Sequence, residues 1–159
     1  MSMMTQISAP TPVTTRAAIT GLTAGTTVLT LAGAIPVEHL TAGDRIITRD
    51  GARSLRAIHA RVTQNAKMVV VSASALGIEQ PEEDMALAAD QQILIRDWRA
   101  KALKGADQAI VTAAKLIDGA YIRAETVAEQ RLYTLEFDAA VVIYAGGLEL
   151  ACTPAKTAA

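Results

Sequence analysis

The sequence holds a single cysteine, one tryptophan, one phenylalanine and two histidines in 159 residues. One thiol, Cys152, excludes an internal disulfide framework. That thiol and the widely spaced His39 and His59 make no metal-ligand pattern, and no metal or other cofactor is expected. Aromatic residues amount to only 3% of the chain, so a core has to be assembled from Val, Ile and Leu. Charge of either sign is scarce. A formal net charge of −1 with no basic cluster excludes the electrostatic footprint of a nucleic-acid partner or of an anionic membrane surface. No apolar run approaches the ~18 residues that a membrane-spanning helix needs. The opening stretch MSMMTQISAPTPVTTR has no charged start followed by an apolar segment, so no Sec-type signal peptide is expected. A cytoplasmic and a non-classically secreted protein both stay open.

What is present is a folded domain's worth of apolar residues. The hydrophobic fraction is 51% and the mean hydropathy is +0.27, far from the polar composition of a disordered chain. Residues 1–18, rich in Ser, Thr and Pro, read as a flexible lead; 19–152 read as one domain and 153–159 as a frayed tail. Within the domain, short β-prone runs alternate with turn signals. Thr27–Leu31 is followed by the turn Ala32-Gly33, and Ile35–Glu38 continues extended because the residue before a proline avoids the helical region. Arg45–Thr48 ends at the hairpin-type turn Asp50-Gly51. Further strands are expected at Met68–Ser72, Ala86–Leu87, Gln92–Ile95, Ala109–Val111 and Tyr133–Phe137, with a last one at Val141–Tyr144. Short helices are expected at Trp98–Leu103 and Ala113–Ile117. The fold class is all-β, with many short strands and one or two short helices.

The run GLTAGTTVLTLAGAIPVEHLTAGDRIITRDG, from Gly21 onward, resembles the start of a Hint (Hedgehog/intein) domain of the bacterial stand-alone subgroup. Three later blocks support the resemblance in order: Ile93–Ala100 (ILIRDWRA), Gly105–Gly119, and Phe137 through Gly146-Gly147-Leu148. Together they span most of the chain and imply a Hint-like fold. The resemblance also implies a chemistry, self-cleavage at the domain's own N-terminal edge. A cysteine or serine attacks the preceding carbonyl, and a histidine protonates the departing amide nitrogen, since an amine anion does not leave.

Carried over residue by residue, that chemistry finds its positions emptied. The nucleophile falls on Gly21. The family's Ser/Thr-x-x-His falls on Ala88 and Gln91, and the histidine of the closing segment falls on Ala140, beside Asp138. Rescue would have to come from Thr20, from Thr23 or from Cys152, which Hint folds bring near the N-terminal edge. Thr20 and Thr23 also read as residues of a linker edge and a turn, and Cys152 as a partly buried side chain at a strand end. Asp90 with Asp138 would be a carboxylate pair with no nucleophile to serve. His39 and His59 read as surface or cap residues, Glu79–Asp84 as a solvated acidic loop, and Trp98 as a core anchor. The expectation is a non-catalytic binding or structural module, with a peptide or protein as its partner. The alternative is residual autoprocessing at Thr20-Gly21.

Overall fold

In the computed structural model, which describes residues 18–152 and 154, the chain forms eleven strands and one α-helix. The lead assigned to 1–18 and the tail assigned to 153–159 lie, but for residues 18 and 154, outside the described residues.

Two hairpins open the domain: β1 (Thr27–Thr30) with β2 (Gly33–Pro36), and β3 (Arg45–Thr48) with β4 (Gly51–Ser54). One device turns both. Thr30 donates its hydroxyl to the Gly33 carbonyl and accepts the Ala32 N–H, and Thr48 does the same for Gly51 and Asp50. Each glycine sits at positive φ, +106° and +96°, which a threonine–x–x–glycine turn requires at its last residue. β5 (Ala57–Val71) and β9 (Ile122–Glu136) are two 15-residue strands paired antiparallel over their whole lengths, and β6 (Met85–Ala88) adds to the outer end of β5. β7 (Gln92–Ile95), β8 (Ala109–Thr112), β10 (Val141–Ala145) and β11 (Leu148–Cys152) complete a second sheet, ordered β2-β1-β3-β10-β11-β7-β8 with β4 on β3. The helix α1 (Trp98–Lys104) starts at an Asp97 cap and ends at Gly105 in the left-handed conformation. The all-β expectation and the short helix expected from Trp98 are therefore observed, while the helix expected at Ala113–Ile117 is a 3₁₀ turn, Ala113–Leu116.

The main core lies between the sheets. Its largest fully enclosed side chains include Phe137, Ile46, Leu55, Leu87 and Ile143. A smaller cluster of Ala66, Met68, Ala88 and Leu132, with Ile19 packed on it, forms under β6.

Several expectations are corrected. Val37 and Glu38 belong to a 3₁₀ turn, Val37–His39, because burying Val37 completely redirects the chain. The strands expected at Met68–Ser72 and Tyr133–Phe137 are the ends of β5 and β9, which run much further, and β11 follows the strand expected to be last. Trp98 is 70% exposed; within α1 the buried residue is Ala100.

Asp118 orders the loop into β9. Its Oδ1 accepts the N–H groups of Ala120, Tyr121 and Ile122 at 2.8–2.9 Å. These bonds, that from Ile122 foremost, and the nearby Arg99 charge hold its carboxyl below the usual 3.8. A carboxyl depressed in the folded state adds stability above its unfolded pKa, and loses it as pH falls through the folded value. Denaturant midpoints are therefore expected to fall below about pH 4, and Asp118→Asn to flatten that fall. Parallel midpoint-against-pH curves for the two proteins would count against it.

Candidate functional site

Three of the expected positions, Gly21, Ala88 and Gln91, converge where the chain enters the domain. Leu22 pairs antiparallel with Leu87 of β6 on one side and with Tyr133 of β9 on the other. Residues 19–22 thus close β6, β5 and β9 into a ring. Leu22 and Tyr133 exchange both backbone bonds, at 2.9 and 2.8 Å, and Gly21 accepts from the Ala88 N–H at 3.3 Å. One turn further, Asp90 grips Ile19 twice. Its Oδ2 accepts the Ile19 N–H at 2.8 Å, and its own N–H donates to the Ile19 carbonyl at 3.0 Å.

Gly21 is fitted to this slot by its lack of a side chain. Its φ is +124°, and a Cβ placed on it would lie 2.9 Å from the Tyr133 carbonyl oxygen and 3.1 Å from Leu132 Cβ. A side chain at this position would press on β9.

Gln91, only 6% exposed, has every polar group of its side chain engaged. Its Oε1 accepts the Gly21 N–H at 3.0 Å. Its Nε2 donates to the Gln92 carbonyl at 3.2 Å and to the Ala151 carbonyl at 3.1 Å. Two carbonyls on the nitrogen and one N–H on the oxygen fix the orientation of the carboxamide. The nitrogen at the Thr20–Gly21 bond therefore faces an acceptor, and the donors of Gln91 point away from it.

The other expected positions divide between this cluster and the surface. Ala88 is fully buried beneath Gly21, in the small core cluster. Thr20 is exposed, and Thr23 lies in the following turn with its hydroxyl 3.4 Å from that of Thr26. Asp138 is an exposed residue between β9 and β10, hydrogen-bonded to Arg56, so the carboxylate pair with Asp90 is not assembled. Ala140 is exposed and lines a cleft of about 380 Å³ with Arg49, Gln92, Ile110, Ala151 and Cys152. His39 is exposed, and His59, also exposed, pairs with Glu136 at 2.7 Å. Cys152 ends β11 beside Ala151; enclosure of its sulfur pushes the thiol up to about 12, leaving almost no thiolate at neutral pH. Sequence reasoning missed Asp90 as the anchor of Ile19 and the reach of Gln91 to Ala151. Neither had a local signal, because both bonds span 60 or more residues.

A profile of the Hint domain family matches residues 20–152. No curated protein matches the chain. Among solved structures it is similar to a bacterial intein-like domain from Clostridium thermocellum, with TM-score 0.64 and 17% identity over 86% of this chain and 99% of that one. It is also similar to the MchDnaB-1 intein (TM-score 0.53, 18% identity, covering 85% and 100%). The gp41-1 intein is similar too (TM-score 0.53, 11% identity, covering 84% and 98%).

Proposed function

The chain belongs to the Hint domain family, and from that premise we propose that it is a non-catalytic member, a binding or structural module that holds its own entry segment uncut. The observation that carries this reading is the Gly21 N–H donated to Gln91 Oε1 at 3.0 Å. Amide cleavage requires a proton delivered to that nitrogen, and an acceptor facing it cannot deliver one. Three further features support the reading. No side chain exists at Gly21, the Tyr133 carbonyl oxygen crowds the place a Cβ would take at 2.9 Å, and burial holds the Cys152 thiol protonated. The peptide held at this place is residues 19–22, so a separate peptide partner would have to bind elsewhere on the surface.

A second reading has one observation on its side. The Asp90 N–H donates to the Ile19 carbonyl oxygen, as an oxyanion-stabilising donor would. Attack by the Thr20 hydroxyl on that carbonyl closes a five-membered ring, whereas attack on its own carbonyl would close a four-membered one. Autoprocessing through Thr20 would thus release a fragment beginning at Thr20, and not at Gly21.

Intact mass decides between the two. Freshly purified protein incubated with and without thiol or hydroxylamine is expected to stay at 16.7 kDa. A fragment beginning at Thr20 or Gly21 overturns the non-catalytic reading. Loss of that fragment in Thr20→Val or in Cys152→Ala would then name the nucleophile.

A further inference from the structure

We propose that Gln91 is a positioning residue that couples the chain's entry into the domain to its exit, so that loosening one end loosens the other. The rungs between β11 and β7 run from Glu149↔Leu94 to Leu150↔Ile93. At the next position the Gln91 carboxamide supplies the bond, donating from Nε2 to the Ala151 carbonyl at 3.1 Å. The same planar group takes the Gly21 N–H on its oxygen. Its backbone is fixed independently, the N–H to the Ala88 carbonyl at 3.0 Å and the carbonyl to the Ala113 N–H at 2.9 Å. The carboxamide is thus held between its partners on an anchored stem, and it cannot follow one partner without leaving the other.

The consequence reaches the cleft of about 380 Å³ beside Arg49, because Ala151 and Cys152 form one of its walls. Withdrawal of residues 19–22 from the ring removes the N–H that the Gln91 oxygen accepts, and the carboxamide that ties the end of β11 on its β7 side is freed to turn. By reciprocity, anything that occupies the cleft and displaces Ala151 changes the hold on Gly21. This inference does not depend on whether the Thr20–Gly21 bond is ever cut.

Cys152, as the chain's only thiol, reports on the exit end directly. The rate of its alkylation by N-ethylmaleimide, followed by intact mass on the full chain, measures local opening of β11. Gln91→Met keeps the side chain's length and removes its hydrogen bonds; it is expected to raise labelling about five- to tenfold beyond the change in global unfolding measured by denaturant. Gln91→Glu keeps an acceptor for Gly21 and sets a carboxylate against the Ala151 carbonyl. Labelling should rise again, while the Gly21 amide keeps its protection from hydrogen exchange. Gly21→Ala, which presses on Tyr133, should raise labelling in the Gln91 protein and add nothing in the Gln91→Met background. Unchanged labelling in Gln91→Met, a rise fully accounted for by global destabilisation, or equal effects of Gly21→Ala in both backgrounds would each overturn the proposal. Cleavage is read from mass and coupling from labelling rate, so failure of either reading is distinguishable from failure of the other.

Discussion

Gly21→Cys, which supplies a thiol where the resemblance to the family's opening motif would put one, is expected to leave the protein at its full 16.7 kDa and to lower its Tm by about 5–10 °C. The destabilisation has two sources. A residue with a Cβ is strained at φ +124°, and the added carbon would stand 2.9 Å from the Tyr133 carbonyl oxygen, which is a backbone atom with little freedom to move. Strain and crowding together are worth about 2–3 kcal/mol. The thiol, wherever it settles, meets an amide nitrogen whose proton is already committed to Gln91 Oε1. Supplying a thiol alone therefore supplies no leaving group. Intact-mass analysis and a thermal melt of the variant check both halves of the expectation. Appearance of a chain beginning at residue 21, or a Tm equal to that of the parent, would sink it.

Leu22→Ala is expected to cost about 3 kcal/mol, within the range for truncating a fully buried leucine, and to lower Tm by a comparable margin. Leu22 is 2% exposed and belongs to the main core. It is also the residue that pairs with both Leu87 and Tyr133 to close the ring. Removing its side chain leaves a cavity at the one place where β6 and β9 are joined across the entry segment. Hydrogen exchange should therefore show more than a uniform loss of stability. The Tyr133 N–H, bonded to the Leu22 carbonyl, and the Ala88 N–H, bonded to Gly21, should lose protection first. Amides in the β10–β11 hairpin should follow only the global change. Equal loss of protection in both regions would mean that the entry segment is no separate unit.

How much of this could be read from the sequence depends on which faces are buried. β3 and β7 appear within the boundaries expected from Arg45–Thr48 and Gln92–Ile95, because β-branched and apolar residues there are bracketed by turn residues. The two threonine–glycine turns were visible for the same reason. The long strands were not. Residues 59–65 of β5 and 128–131 of β9 lie largely in solvent, so Arg61, Gln64, Asn65, Glu129 and Arg131 show no alternation of apolar and polar residues. β4 is almost wholly exposed and gives no signal either. Trp98 misled because an indole usually marks a core. Here it lies on the surface, with the Arg99 guanidinium 4.8 Å from its ring centre and Arg99 itself tied to Asp97 and Asp118. At the site, the positions Gly21, Ala88, Gln91 and Ala140 could be named from the resemblance to the family's motifs. That three of them meet at the entry segment while Ala140 opens on a neighbouring cleft is tertiary information.

The closed ring also sets a timetable. During synthesis residues 19–22 emerge well before the groups that hold them: Asp90 and Gln91 come some 70 residues on, and Tyr133 and Gln91's own partner Ala151 further still. Closing loops of that length precedes any reward in pairing, so the entry segment is among the last parts of the nascent chain to find its place. Until Ala151 has left the ribosome, the carboxamide of Gln91 has only part of its set of partners, and the hold on Gly21 is incomplete.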